Sequence, residues 1–349
     1  MIHNYIDNHI SITKFMNIIR IKEDMMNIIF LKPELKEKIW GGNKLHTIFG
    51  MEIPSEKTGE AWVISGHKNG ITTVISPEKY SGRGLDDLYE NETSLFYGND
   101  ENKLSQFPLL VKILDANDKL SVQVHPDDDY ASKHVGKNEL GKNECWYILD
   151  AEDDAEIVYG HNAKTKEEFT SMIEEGDYDH LLKKVKVKKG DFFNVPSGTI
   201  HAIGAGIVIL ETQQSSDTTF RVYDYDRIDD LGNKRELHIK DSINVTHIPH
   251  IENKNQFKTQ KYQGAEIVNL VANKFFVVKK IDTDGVFSYD MDTKYALMNI
   301  IEGKGSIELD GNIYKVKKGD SFIIPYGEKR LEIRGNLTII ESTEGTNKI

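Results

Sequence analysis

The sequence predicts an all-β protein made of two sandwich domains, with one small helical insertion. Three observations carry that reading. Short runs rich in β-branched and aromatic residues recur at close intervals, bounded by Gly, Asn, Asp or Pro: "EAWVIS", "TTVIS", "PLLVKIL", "LSVQVH", "CWYIL", "AEIVYG", "GIVILET", "FFVVKKI", "YALMNII" and "SIELDG". Helix signals are few. The stretch "VKKGDFFNVPSGTIH" from Val187 has a partial echo in "VKKGDSFIIPYGEKR" from Val316, which keeps Val-Lys-Lys-Gly-Asp and then Phe, Pro and Gly but places Arg330 where the first has His201. A duplicated sandwich explains the echo, because the same turn chemistry then connects corresponding strands in each half.

Taken in order, residues 1–27 are broken by polar side chains every few positions and form neither a signal peptide nor an 18-residue apolar run, so they are expected to be an extension outside the core. Residues 28–254 make the first domain. "DDD" at 127–129 follows Pro126 and reads as a solvated helix start. The insertion near 164–184 opens with a capping box, Thr165 to Glu168, ahead of Phe169, Met172 and Ile173, and "DHLLKK" continues it amphipathically. The polar stretch "RIDDLGNKRELHIKDSINVTHIPHIENKNQ" separates the halves, which puts the boundary near 255 and the second domain at 255–349.

The length of 349 residues agrees with two domains at roughly 150 residues each. A formal charge of -12 argues against nucleic acid or an anionic membrane as partner, since phosphate polymers require a basic footprint. A small anionic substrate held by a few local Lys and Arg stays compatible with it. The lone Cys145 cannot form an internal disulfide, which fits a reducing, cytoplasmic setting.

Chemistry concentrates in three strand-like segments. Alternation along "LSVQVH" puts Ser121, Gln123 and His125 on one face and Val122 and Val124 on the other. The same parity in "GKNECWYIL" groups Lys142, Glu144 and Trp146, with Cys145 opposite as a small buried hydrophobe. Trp146 and Tyr147 read as packing residues. In the third segment the Pro196-Ser197-Gly198 turn aims His201 inward. Two His, one Glu and one amide oxygen are ligands suited to zinc with an open position for substrate. The remaining histidines show no paired spacing.

"FLKPELKEKIWGGNKL", "GEAWVIS", "FPLLVKILDANDKLSVQVHPDDDYA", "GKNECWYIL", "VPSGTIHAIGAGIVILETQQSSDTTFRVYDYDR" and "RELHI" together resemble the short bacterial form of type I mannose-6-phosphate isomerase, a zinc enzyme family of the cupin superfamily. The resemblance runs from about Ile28 to the C-terminus. It implies cupin-type jelly rolls and an aldose–ketose isomerase that interconverts mannose 6-phosphate and fructose 6-phosphate through an enediolate. It also implies one zinc ion per chain, held by Gln123, His125, Glu144 and His201. Arg221 matches the family's catalytic arginine, Lys142 and Glu211 match residues of proton handling, and Ser121, Lys112 and Arg227 match positions near the substrate phosphate. "MMNIIFLKPELKEKIWGG" already resembles a complete family N-terminus, so the preceding segment departs from the pattern.

Other readings stay open at this level: another cupin metalloenzyme such as an iron oxygenase, or a non-catalytic sugar-binding or regulatory cupin. Arg221 and Arg227 would then belong to a surface network with Asp217, Asp224 and Asp226. From Gly264 to Ile349 the chain has no His, Gln or Cys, and "GVFSYDMD" offers only Ser288 and Asp290 where "LSVQVHPD" would fall. The second half is therefore expected to hold no metal, with Arg330 a structural or surface residue. Lys142 and Glu211 both stay open as the base, and mannose stays open as a substrate beside mannose 6-phosphate.

Overall fold

The computed structural model describes residues 27–100, 103–228, 231–253, 255–291, 293–327 and 330–345. The segment read as an extension lies, through residue 26, outside them. Every quoted β run falls on a strand. The strands build three sheets. A seven-stranded sheet runs in the order Phe192–Val195, Glu144–Ala151, Ile207–Gln214, Leu109–Ala116, Thr58–His67 and Glu34–Gly42, with Gly70–Ile71 hairpinned onto Thr58–His67. Facing it is a five-stranded sheet in the order Leu182–Lys186, Glu156–His161, His201–Ala202, Val122–Val124 and Phe220–Tyr223. Leu114, Ile148 and Ile209 of the first sheet pack against Ile157 and Tyr159 of the second, so the two inner faces share one core.

The outer face of the five-stranded sheet is covered by the helical insertion. Glu168 N–H donates to the Thr165 hydroxyl (3.2 Å) at the start of the helix Lys166–Glu175, and Gly176 ends it in a left-handed conformation (φ 72°). Phe169 and Ile173 from this helix bury against Val122 and Val124, which is where the valine side of "LSVQVH" points. The amphipathic continuation expected through 184 stops sooner: Tyr178–Leu181 is a single turn, and Leu182–Lys186 is a strand paired with Glu156–His161. An available sheet edge satisfies that backbone and overrides the local helical spacing. Asp127 caps the helix Asp128–His134 by accepting from Tyr130 N–H (2.8 Å), as read from the triple aspartate.

A ten-stranded sheet makes the second half. Its two longest strands, Ala296–Leu309 and Arg330–Glu344, carry Val286–Asp290 and Asn312–Lys317 as flanking partners, and the sheet wraps around Phe287, Met298, Ile307, Phe322, Leu331 and Ile339. The bend needs Gly303: its φ is 87°, and a Cβ there would lie 1.9 Å from the Asn336 carbonyl oxygen, beside a register shift between the two long strands. Two strands from the first hundred residues, Ile29–Lys32 and Thr73–Ser76, are built into this sheet through Ser321–Ile324. The halves also share one apolar cluster, in which Leu109, Val111 and Leu210 meet Phe276, Leu297 and Ile340. A buried hydrogen bond of 2.8 Å between the Thr212 and Ser342 hydroxyls crosses the same face.

The repeated turn folds the same way twice. Lys188 N–H donates to Asp191 Oδ2 (2.9 Å) around Gly190 (φ 92°), and Lys317 N–H donates to Asp320 Oδ2 (2.8 Å) around Gly319 (φ 94°). An Asx-type bond closes each turn and a left-handed residue is needed at each glycine.

Candidate metal centre and active site

Two cross-strand rows face each other between the sheets of the first sandwich. On the five-stranded sheet His201 lies opposite both Tyr159 and Gln123, and Gln123 lies opposite Arg221. On the seven-stranded sheet Trp62 lies opposite Lys112, Lys112 opposite Glu211, and Glu211 opposite Trp146. Side chains in one row share a face, so strand register alone brings residues distant in sequence into one line. The Pro196–Gly198 turn is held to the neighbouring segment by Gly198 N–H donating to the His125 carbonyl (2.9 Å), and Gly198 takes φ 79°.

His125, Glu144 and His201 converge with their ligand atoms within 4.8 Å of one another, all buried. His125 Nδ1 donates to the Thr218 carbonyl and His201 Nδ1 to the Thr199 carbonyl, both at 2.9 Å. A carbonyl only accepts, so each ring carries its proton on Nδ1 and presents a bare Nε2 lone pair inward. Those lone pairs face carboxylate oxygens: His125 Nε2 is 3.4 Å from Glu144 Oε2, and His201 Nε2 is 3.3 Å from Glu144 Oε1. Glu144 Oε1 is buried and has no hydrogen-bond partner. Lys142 donates toward His125 Nε2 and Glu144 Oε2, whereas at His201 Nε2 and Glu144 Oε1 acceptor faces acceptor, which calls for a cation beside them. Metal–ligand bonds of about 2.0–2.2 Å at the tetrahedral angle place ligand atoms roughly 3.3–3.6 Å apart, so the donor set fits a tetrahedral cation. Gln123 completes the ring: its amide nitrogen is 3.3 Å from His201 Nε2, and a half-turn of the amide presents Oε1 instead.

Electrostatics keep these groups in ligand form. Burial, reinforced by the Lys142 ammonium, pushes His125 down to about 3, and burial likewise lowers His201. Burial alone would raise Glu144, but Lys142 and the two imidazoles hold it well below the usual carboxylate range. Lys142 Nζ lies 3.0 Å from His125 Nε2, also bonds Glu144 Oε2, and is 3.9 Å from Glu211 Oε1. Glu211 accepts from the Trp146 indole N–H (3.0 Å) and sits 3.7 Å from Lys112 Nζ. Burial and the Glu144 charge raise Glu211, with Lys142 and Lys112 opposing. The site thus pairs one carboxylate held ionised with another that protonates more easily, the contrast acid–base chemistry requires.

Of the residues singled out in sequence, Gln123, His125, Glu144, His201, Lys142, Glu211 and Lys112 come together, and Ser121 is buried at the head of the Val122–Val124 strand. Trp146 does more than pack, since its N–H serves Glu211. Arg221 stands in the row next to Gln123; its Nη1 donates to the Glu236 carbonyl (2.8 Å) and its buried Nε has no partner. Arg227 is tied up instead, with Nη2 on Asp224 (2.6 Å), Nη1 on the Lys119 carbonyl, and Asp118 at 3.5 Å. Asp217 and Asp226 do not join that network: Asp217 accepts from Asn69 (3.0 Å) and Asp226 pairs with Lys234 (2.6 Å).

Sequence reasoning missed Glu60 and Trp62. Lys112 Nζ lies 4.8 Å above the Trp62 ring, the Trp62 indole donates to Glu60 (2.7 Å), and Glu60 pairs with Lys38 (3.1 Å). Burial would raise Glu60, but Lys112 and Lys38 lower it; burial would lower Lys112, but Glu211, Glu60 and Asp217 raise it. Parity in "GEAWVIS" puts Glu60 and Trp62 on one face, a signal present in sequence but silent about which strand lies alongside.

The second half has no such centre among the described residues. It keeps a cross-strand pair, Lys279 opposite Glu341 at 3.2 Å, closed by the Tyr289 hydroxyl donating to Glu341 (2.7 Å), and apolar side chains fill the rest. Ser288 and Asp290 point outward, and Arg330 is 73% exposed with Asp290 3.8 Å away. Among the described residues no helix is long and apolar enough to cross a membrane.

Comparison with known proteins agrees with this geometry. Residues 28–172 match the family of phosphomannose isomerase type I, catalytic domain, and residues 266–344 match the mannose-6-phosphate isomerase cupin domain. The chain is 52% identical over 318 residues to mannose-6-phosphate isomerase of Streptococcus mutans, covering 91% of this chain and 98% of that protein. It is 48% identical over 314 residues to mannose-6-phosphate isomerase ManA of Bacillus subtilis, covering 90% and 98%. A crystal structure of mannose 6-phosphate isomerase from Bacillus subtilis superposes with a TM-score of 0.87 at 44% identity, covering 90% of this chain and 99% of that one. With the all-β cupin fold, the buried His-Glu-His cluster and this similarity along both halves, the chain belongs to the type I phosphomannose isomerase family and is an isomerase.

Proposed function

We propose that this protein interconverts mannose 6-phosphate and fructose 6-phosphate through an enediolate, with one zinc ion per chain held by Gln123, His125, Glu144 and His201. The observation that carries the reading is the convergence of two imidazole lone pairs on a buried carboxylate with an unsatisfied oxygen, beside the Lys142–Glu211–Lys112 line. When bound, zinc supplies Lewis-acid stabilisation of the charge that builds on the sugar's C1 and C2 oxygens. Lys142 and Glu211 are the groups placed to move a proton between those carbons, because both are buried beside the ligand cluster and Glu211 protonates more readily than an ordinary carboxylate. Arg221, permanently charged and bonded among the described residues to the Glu236 carbonyl rather than to a carboxylate, adds positive potential where the anion develops. Lys112, Ser121 and Arg227 hold the phosphate; Arg227 does so while sharing Asp224. In this reading residues 28–254 are the catalytic unit, residues 255–349 are a sandwich without ligands, and the enzyme works in the cytoplasm.

A coupled assay with mannose 6-phosphate and with mannose, before and after chelation, tests the proposal. Activity on the phosphorylated sugar that disappears with the metal and returns with zinc supports it. Turnover by a preparation shown to be metal-free refutes the Lewis-acid role.

A further inference from the structure

Two guanidinium groups, Arg227 and Arg235, bond a single buried carboxylate, Asp224, which is only 5% exposed, and a third, Arg221, lies beside them with its Nη1 donating to the carbonyl of Glu236, the residue after Arg235. Arg235 grips it with two bonds, Nε to Oδ2 (2.7 Å) and Nη2 to Oδ1 (2.5 Å), and Arg227 adds a third, Nη2 to Oδ1 (2.6 Å). Both carboxylate oxygens are therefore occupied. Arg221 is left out: among the described residues no Asp or Glu pairs with it, and its Nε is buried without a partner. Burial and the neighbouring Arg235 and Arg227 charges work against its proton, and the Asp224 charge supports it across a gap that no hydrogen bond closes.

We infer that Arg235 is a positioning residue that saturates Asp224 and so keeps the charge of Arg221 free for the substrate's phosphate or its developing oxyanion. This rests on the reading of the site as a sugar-phosphate isomerase. The reason is competition. A carboxylate within the cluster and an incoming phosphate dianion seek the same donors, and a bidentate Arg–carboxylate pair removes the carboxylate from that contest. Without Arg235, Asp224 Oδ2 is a buried anion with no donor, and Arg221, carrying an unused Nε, is the guanidinium available to answer it. The site would then neutralise itself before substrate arrives.

The test is Arg235→Gln alone and combined with Asp224→Asn, assayed with mannose 6-phosphate and with inorganic phosphate as a competitive inhibitor, with melting temperature and metal content measured on each. Arg235→Gln is expected to lower kcat/KM for mannose 6-phosphate and raise Ki for phosphate in parallel by about tenfold or more, since a charge-assisted contact is at stake. Adding Asp224→Asn removes the competitor and should bring both constants back to within about threefold of wild type. Unchanged kcat/KM and Ki in Arg235→Gln overturn the inference. So does a double variant that stays as weak as the single, because Arg235 would then touch phosphate directly or act only in folding. If Arg235→Gln fails to fold, the double variant, which strands no buried carboxylate and leaves Arg227 the Lys119 carbonyl and Asp118, decides on the same criterion. A wild type that neither turns over mannose 6-phosphate nor responds to phosphate would instead overturn the assignment of the site.

Discussion

Trp146→Phe isolates one hydrogen bond in the centre of the site. Trp146 is fully buried, and its indole N–H is the neutral donor that reaches Glu211, at 3.0 Å; phenylalanine keeps a ring in the same place and removes the donor. A hydrogen bond to an ionised group is worth about 1.5–3 kcal/mol, and about 1.4 kcal/mol corresponds to one pKa unit. The bond favours the anion, so its loss raises Glu211 further by the worth of that bond, on top of the elevation that burial and Glu144 already impose. At a given pH less of Glu211 is then ionised. The acid limb of kcat/KM for mannose 6-phosphate should therefore move to higher pH by about that amount, with the plateau rate nearly kept. The measurement is the pH dependence of kcat/KM for wild type and variant. Metal content is determined alongside, because the Trp146 ring also lies edge-on to His201 with centroids 5.3 Å apart. An acid limb that stays in place while metal is retained would refute the role of Glu211 as a group that must ionise.

His125→Ala and His201→Ala should each lose metal and activity together, and Gln123→Ala should keep part of both; elemental analysis beside the coupled assay decides, and a full complement of metal in either His variant would contradict the ligand set. Wild type should carry one tightly bound zinc ion per chain and Arg330→His should gain none, because a single imidazole at an exposed position lacks three further ligands; two ions per chain would overturn this. Thr212→Val strands the Ser342 hydroxyl and should cost about 1–3 kcal/mol in denaturant unfolding, whereas Thr212→Val with Ser342→Ala should cost less than the two single losses together. Strict additivity would show that the bond does not join the two halves energetically.

Much of this protein is legible in short stretches of its sequence. The alternation in "LSVQVH" sends two valines into the helix-covered face and Gln123 and His125 into the site, because successive side chains on a strand point to opposite sides whatever the partner strand is. The two Lys-Lys-Gly-Asp turns close with the same Asx bond for the same local reason. The cap at Thr165, the outward Arg330 and the lack of histidine in the second half are likewise legible without the partner strands. What only the tertiary structure decided is pairing. Nothing near Ile29–Lys32 or Thr73–Ser76 says that these strands complete the sheet of the other half, and the helical spacing of "DHLLKK" gives no hint that Leu182–Lys186 is wanted at a sheet edge. The same holds for the Glu60–Trp62–Lys112 stack and for Arg227 and Arg235 sharing Asp224 while Arg221 bonds the Glu236 carbonyl. Cross-strand register and the sharing of one buried carboxylate among several cations depend on which surfaces the whole chain brings together, and free energies of burial and charge pairing are settled only when those partners meet.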